Sequence, residues 1–381
     1  MRIMSVVGAR PQFVKAAVVS EAMRCTGDIA EILVHTGQHY DANMSQLFFD
    51  ELGIAAPDHH LGVGSGLPGA QTAAMIERLE QVALAVKPDG MLTYGDTNST
   101  LAAALVAAKL VLPLAHVEAG LRSFNRAMPE EVNRIVTDRL SQLLFAPTRA
   151  AVDNLRHEGV PPETIFQTGD VMFDATLRFS ELAAKQSRVL ARLGLAPGSY
   201  LLATVHRAEN TDDRERLAAI LAGLHRVSHE IDVVFPMHPR TRSALQRADL
   251  PPTPAARLHT IEPTGYLDML ELERNARLIA TDSGGVQKEA FFHRVPCVTL
   301  RTETEWVELV EAGWNRLLAP SDAETVHAGL AAALGDAAKP AQAPAFYGDG
   351  TASARIAAIL AGLERGSGQA GSGSSPPANP V

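Results

Sequence analysis

The sequence predicts an α/β protein built of two doubly wound units, each a parallel sheet covered by helices. Short apolar, strand-like runs recur along the chain, as buried parallel strands require. Helical patterns fill the intervals between them, the alternation of strand–helix–strand connections. At 381 residues the chain exceeds one ordinary core, so two domains of roughly 170 to 190 residues are expected. Ligands of such units bind beyond the carboxyl ends of the strands, and two facing units place the site in the cleft between them.

In the first half, strands are predicted near Ile3–Val7, Glu31–His35, Gly90–Tyr94, Leu114–Val117 and Leu143–Ala146. Helices such as Pro11–Met23, Met44–Leu52 and Gln71–Leu84 lie between them. A second series starts at Tyr200–Thr204 and continues through Val233–Met237, Leu258–Ile261, Leu278–Ala280 and Cys297–Leu300. The units join near Asp170 to Ala184. The expected boundaries are 1–172 for the N-terminal domain, 173–350 for the C-terminal domain, 351–365 for a last helix and 366–381 for a disordered tail. That tail, GSGQAGSGSSPPANPV, is too polar and too rich in Gly, Ser and Pro to bury a core.

Composition narrows the function. Hydrophobic content of 46% and a charged fraction of 20% describe an ordinary soluble protein. A net charge of -9 speaks against nucleic acid as the main partner, and requires that any anionic ligand be met by local cations. Cys25 and Cys297 have no metal or redox spacing, and so few cysteines in a chain this long point to a reducing, cytoplasmic setting. MRIMSVVGAR enters a strand pattern with no signal-peptide core. The apolar region Leu101 to Val117 holds Lys109 and Pro113, which makes it a buried helix followed by a strand and not a membrane span.

Five segments carry candidate chemistry. In TDSGGVQKEA, Gly284 and Gly285 sit where a strand turns into a helix, so the free N–H groups of the first turn and the helix dipole favour a phosphate. Glu289, one turn on, is spaced to accept hydrogen bonds from ribose hydroxyls. The plain alternative is a helix entry capped by Asp282 or Ser283. In GARPQFVK, Pro11 suits a first helical position and Arg10 and Lys15 flank the helix start, a pair of cations for a phosphate-rich ligand. In YGDTNST, Asp96 follows a strand end, where it serves chemistry or, with Thr97, caps the next helix. In HVEAGLRSFNRAMPEEVNR, Glu118 follows another strand end, and Glu130 and Glu131 open a helix after Pro129. Clustered carboxylates raise one another's proton affinity and supply acids and bases near neutral pH, whereas Glu130 and Glu131 also suit the helix dipole. In TVHRAEN, His206 at a strand edge is placed to bind or protonate a phosphate, or is merely structural. His35 and His39 have the spacing of a helical metal pair, but Gly37 and the preceding strand oppose a helix, so no metal is expected.

Taken in order, GARPQFVK, HTGQHYDANMS, YGDTNSTLA, HVEAGLRSF, MPEEVNR, HRAEN, HPRTR and TDSGGVQKEA resemble the non-hydrolysing UDP-N-acetylglucosamine 2-epimerase family from Met1 to about Leu318. The resemblance implies a fold like that of the two-domain (GT-B) glycosyltransferases, two Rossmann-like units facing across a cleft, with a C-terminal helix at about Ala352–Glu364 returning to the first domain. It implies a reaction without metal, nicotinamide or other cofactor. UDP is eliminated across carbons 1 and 2 to leave a glycal, then added back after carbon 2 is reprotonated on the opposite face. Asp96, Glu118 and Glu130 correspond to the acid/base carboxylates, and His206 joins them as a catalytic candidate. Arg10, Lys15, Arg122, Ser283, Gly284, Gly285 and Glu289 correspond to substrate-binding positions, with Tyr266 to Met269 near the uracil. Where many members have Thr-Glu-Arg-Pro-Glu, this chain has Thr304-Glu305-Trp306-Val307-Glu308, so Trp306 replaces a cation near the nucleotide.

GARPQFVKA, HRAENTDD and TEWVEL resemble especially the subgroup acting on UDP-2,3-diacetamido-2,3-dideoxyglucuronate for bacterial surface polysaccharides such as O-antigen. UDP-N-acetylglucosamine is the other expected substrate. Family members imply a cytoplasmic homodimer, and some bind a second substrate molecule, with Gln38 and His39 in the corresponding region. The rivals are a retaining glycosyltransferase of the same architecture, which needs the UDP anchor but not the carboxylates, a hydrolase releasing UDP, and a nucleotide-sugar sensor without turnover.

Overall fold

The computed structural model describes residues 1–38, 52–53, 55–248, 257–336 and 344–367, without the side chains of Arg10 and residues 363–367. The chain divides into two compact units. One takes in Met1–Ala175 together with the chain from Phe346 on, the other Thr176–Ala345.

In the first unit the described strands are β1 (Arg2–Val7), β2 (Ala30–His35), β3 (His59–His60), β4 (Gly90–Tyr94), β5 (Leu114–Val117), β6 (Leu143–Ala146) and β7 (Ile165–Gln167). They lie in the order β3-β2-β1-β4-β5-β6-β7, all parallel. In the second, β8 (Tyr200–Thr204), β9 (Asp232–Pro236), β10 (Leu258–Ile261), β11 (Leu278–Thr281), β12 (Cys297–Thr299) and β13 (Asn315–Leu317) run in the order β10-β9-β8-β11-β12-β13, again all parallel. The α/β fold class read from the sequence is therefore the one the chain adopts.

Alternation along the strands explains why both faces are covered. Leu201, Ala203, Leu278 and Ala280 enter one core with the helices Arg214–Val227 and Ala323–Gly335, while their neighbours Tyr200, Leu202 and Ile279 enter another with Tyr266–Asn275 and Gly284–Phe292. Likewise Met4 and Val6 of β1 share a core with the helices Pro68–Val86 and Asn98–Lys109. Each fully buried aliphatic side chain contributes roughly 1.5–3 kcal/mol relative to exposure, so this two-sided burial outweighs local propensity. The helix Arg10–Thr26 contacts β1, β2 and β4 and runs along Ala352–Ser367.

Strand limits differ from the sequence-based ones by a residue or so, as at Asp232–Pro236. The two- and three-residue strands β3, β7 and β13 are too short to show a periodicity. Residues 170–184, expected as a junction, lie largely within the helix Val171–Gln186. The predicted helix at Met44 to Leu52, apart from its last residue, lies outside the described residues, as do His39 and the chain beyond Ser367. No helix among the described residues is long and apolar enough to cross a membrane.

The strand order reverses between β1 and β4 in the first unit and between β8 and β11 in the second. At such points the connections leave in opposite directions and open a crevice at the carboxyl ends of the strands, where ligands of doubly wound sheets bind.

Candidate active site

At the first reversal, β1 ends in Gly8 and Ala9, and the helix Arg10–Thr26 follows with Pro11 in its first turn. A Cβ on Gly8 would stand 2.1 Å from Ser99 Oγ and 2.3 Å from Thr36 Oγ1. Only glycine fits there. The buried Gln12 fastens this turn to β4. Its Oε1 accepts from the Gly8 and Ala9 amides at 2.8 and 3.1 Å, and its Nε2 donates to the Tyr94 carbonyl at 2.7 Å and to Thr100 Oγ1 at 3.0 Å.

β4 leads through Gly95 into Asp96. Thr97 caps the helix Asn98–Lys109 by accepting from the Thr100 amide. Asp96 is thereby released from capping, and its carboxylate pairs with the Arg134 guanidinium. Glu118 follows β5 in the left-handed region at φ 74°, a conformation costing on the order of 1–2 kcal/mol for a residue with a side chain. The amides of Glu118 and Ala119 both donate to the Phe145 carbonyl at 3.1 Å, which enforces the bend. The Glu118 carboxylate meets the Lys15 ammonium, so Lys15, expected on a phosphate, points to an acid instead. A Cβ on Gly95 would be 3.3 Å from Glu118 Oε2 and 3.6 Å from Lys15 Nζ, which places the residue before Asp96 against this pair. The expected crowding of carboxylate on carboxylate is replaced by a cation beside each acid. A partly buried carboxylate is cheaper to desolvate beside a cation than beside another anion.

Glu130 and Glu131 separate in role. Glu130 is exposed in the first turn of the helix Pro129–Leu140. Glu131 is buried and accepts from the amides of Ser123 and Phe124, both at 2.9 Å, from Ser123 Oγ at 3.0 Å and from Arg134 at 2.9 Å. Burial pushes its carboxyl up, but those hydrogen bonds and Arg134 outweigh it and hold the group below the usual range. Arg122, expected to touch substrate, turns inward. Its side chain is 1% exposed, forks onto Glu158 at 2.7 and 2.8 Å and pairs with Asp138 at 2.7 Å.

The sequence offered Glu131 only beside Glu130 as a helix-opening carboxylate, and it did not reveal Gln12 or Arg134 as site builders. For Arg134 a signal existed, since it lies three and four residues after the two glutamates on one helix, a spacing that shares a face. Gln12 carried none. The backbone of Arg10 opens its helix, and its side chain is outside the described residues. His35 stacks on Phe13 and His60, and among the described residues no group of His, Cys, Asp and Glu is placed to hold a metal.

At the second reversal, β8 delivers His206 and β11 delivers Asp282 to Gly285. The fully buried Asp282 ties them together, accepting from the amides of His206 at 3.0 Å and Arg207 at 2.9 Å and from Asn210 Nδ2 at 3.0 Å. His206 Nδ1 lies 3.7 Å from Asp282 Oδ1. Burial holds the imidazole below its usual range, with Arg207 and Arg240 adding to the shift and Asp282 opposing it. Ser283, not Asp282, caps the helix Gly284–Phe292. On Gly285 the nearest atom to an added Cβ would be Ser283 Oγ at 3.9 Å, so no described residue crowds a side chain there, whereas at Gly284 Arg207, Trp306 and Glu305 stand 3.4, 3.6 and 3.9 Å away. Amides and helix dipole there favour an anion.

Glu289 is buried on the same helix, 3.5 Å from the Tyr266 hydroxyl. Burial pushes its carboxyl up to about 7, with Lys288 opposing. Met269 is half-buried on the helix begun by Tyr266. Trp306 donates from its indole N–H to the Gly284 carbonyl at 2.9 Å, and the Lys288 ammonium lies 4.5 Å over its ring. Trp306, read from the sequence as replacing a cation, thus has the Lys288 ammonium against its face.

The chain as a whole matches known proteins. The family model described as UDP-N-acetylglucosamine 2-epimerase matches residues 21–361. A UDP-2,3-diacetamido-2,3-dideoxy-D-glucuronate 2-epimerase of Pseudomonas aeruginosa is 48% identical over 370 residues, covering 95% of this chain and all (100%) of the relative. The crystal structure of Methanocaldococcus jannaschii UDP-GlcNAc 2-epimerase in complex with UDP-GlcNAc and UDP matches with a TM-score of 0.84 at 42% identity, covering 94% of this chain and 99% of that one. That of the Neisseria meningitidis enzyme bound to UDP-GlcNAc has a TM-score of 0.84 at 29% identity, with the same coverage of 94% and 99%. With a family model and relatives that span nearly the whole chain, the protein belongs to the UDP-N-acetylglucosamine 2-epimerase family.

Proposed function

We propose that the chain inverts carbon 2 of a UDP-N-acetylhexosamine, that its substrate is UDP-2,3-diacetamido-2,3-dideoxyglucuronate, and that the named site residues carry the reaction. The observation behind the chemistry is the pair Asp96 and Glu118, each beside a cation, at the strand ends of a sheet whose chain also supplies a helix start with two glycines. A base takes the proton from carbon 2 while the bond from carbon 1 to the UDP oxygen breaks, leaving a glycal and UDP. An acid then delivers a proton to the other face of carbon 2, and UDP re-forms the bond to carbon 1. Asp96, Glu118 and Glu130 are the proposed acids and bases. His206, the turn Ser283 to Gly285 and Arg10 are assigned to the departing diphosphate, and Glu289 to the ribose. Tyr266 and Met269 flank the uracil. Lys15 and Arg122 serve the site through Glu118 and Asp138 respectively. No metal or other cofactor enters these steps.

The choice of sugar is supported by the 48% identity to the P. aeruginosa diacetamido-glucuronate epimerase and by the TEWVEL segment around Trp306. UDP-N-acetylglucosamine is the second reading, supported by the archaeal structure at 42% identity. Incubation of the enzyme with each UDP-sugar alone in heavy water tests both levels. Epimerisation places solvent deuterium at carbon 2 with both sugars still joined to UDP, and the uronate turns over faster. A label-free sugar overturns the reaction, while faster turnover of UDP-N-acetylglucosamine overturns only the substrate. We propose further that the enzyme is a cytoplasmic homodimer supplying bacterial envelope polysaccharide synthesis, which sedimentation and cell fractionation test.

A further inference from the structure

His116 of β5 has no part in the steps above, yet both nitrogens of its fully buried ring are engaged. Nε2 stands 2.7 Å from the Gly95 carbonyl oxygen and Nδ1 2.7 Å from Asp138 Oδ1. A carbonyl and a carboxylate only accept, so both nitrogens donate and the ring carries two protons. Asp138 is suited to face a cation. Burial pushes its carboxyl up, but the hydrogen bond and charge of His116 and the charge of Arg122 outweigh it and hold the group below the usual range. Its other oxygen accepts from the Gly120 amide at 3.1 Å and pairs with Arg122 at 2.7 Å. Arg122 in turn forks onto Glu158. His116 and Arg122 thus both face the fully buried Asp138, and Arg122 is shared with the partly exposed Glu158.

This network ends on the residue before Asp96. The Gly95 amide donates to the Val117 carbonyl at 3.0 Å, and its own carbonyl is held by His116, so both sides of Gly95 are fixed. Two residues after His116 comes Glu118. We propose that His116, held by Asp138, is a positioning residue of the epimerisation: it pins Gly95 and thereby sets the spacing of Asp96 and Glu118. This rests on the proposed roles of those two acids. Misplacement of catalytic groups by about 1 Å costs on the order of 100-fold in rate.

His116→Ala is expected to lose about 10–100-fold in kcat while its affinity for UDP, measured by calorimetry, stays at the wild-type level. His116→Gln, whose amide can still donate to Gly95, recovers part of that loss. Nitrogen-15 NMR of the wild-type ring at neutral pH, which needs no variant to fold, is expected to show protons on both nitrogens. An unprotonated ring nitrogen, wild-type kcat in His116→Ala, or equal losses of kcat and UDP affinity would each overturn the proposal. Asp96→Asn separates the levels: normal turnover there removes the underlying acid/base roles, whereas an inactive Asp96→Asn beside an active His116→Ala removes only the role of His116.

Discussion

Gly8 follows the first strand and Gly285 lies in the first turn of the helix Gly284–Phe292, and the structure gives them opposite reasons to lack a side chain. Around Gly8 the space is already filled by Ser99 and Thr36, whose hydroxyls lie 2.8 Å apart in a hydrogen bond. Gly8→Ala forces that pair and the strand end apart, at about 1–3 kcal/mol by the usual cost of overpacking. The expected result is a lower urea midpoint with an unchanged slope. Among the described residues none comes nearer than 3.9 Å to a Cβ added at Gly285, so Gly285→Asp should fold with wild-type stability. It sets an anion where the proposed diphosphate would lie, and UDP affinity should fall at least about tenfold, a loss of roughly 1.4 kcal/mol. A calorimetric titration with UDP reads this directly, and unchanged affinity would remove the diphosphate from that turn.

At the scale of elements, the strand–turn–helix grammar was legible because its signals are local. An apolar run, a Ser cap and a Gly pair lie within eight consecutive residues at Leu278 to Gly285, and the structure uses Ser283 as the cap. What escaped the sequence is long-range. Lys15 and Glu118 are 103 positions apart, and nothing in the neighbourhood of either says that they meet. The inward turn of Arg122 depends on Glu158, which belongs to another helix end, and the division of labour between Glu130 and Glu131 depends on the loop folded over the second. The helix Gly284–Phe292 carries one further consequence. It buries Glu289, whose carboxyl is pushed up to about 7, so near neutral pH the group stands between its acid and carboxylate forms. A ribose diol donates best to the carboxylate. The ratio of wild-type to Glu289→Gln affinity for UDP should therefore grow from about pH 6 to about pH 8, whereas the titrations of UDP itself and of His206 are common to both proteins and cancel. A ratio flat across that range would place the ribose elsewhere.

For the whole molecule, stability against pH is set by buried groups that the proposed chemistry does not use. Glu273 is fully buried, both carboxyl oxygens lack a hydrogen-bond partner, and burial followed by the nearby Glu289 pushes it well above the usual range. His293, 4.0 Å away, is held down to about 4 by burial, with Arg274 adding to the shift. The signs are opposite. A raised native carboxyl stabilises fully below its unfolded value near 4.5, and that contribution is lost as pH rises. A depressed native histidine stabilises fully above its unfolded value near 6.5, and that contribution is lost as pH falls toward about 4. Between those unfolded values the two slopes oppose each other and flatten the wild-type profile. Both groups lie in the unit Thr176–Ala345, which also contains both tryptophans of the chain, Trp306 and Trp314, so tryptophan fluorescence follows the unfolding of this unit. Measured that way from about pH 4.5 to about pH 6.5, the Tm of Glu273→Gln relative to wild type should climb as pH rises, and that of His293→Gln should climb as pH falls. Parallel trends in the two variants would mean that the pair does not hold these opposed protonation states.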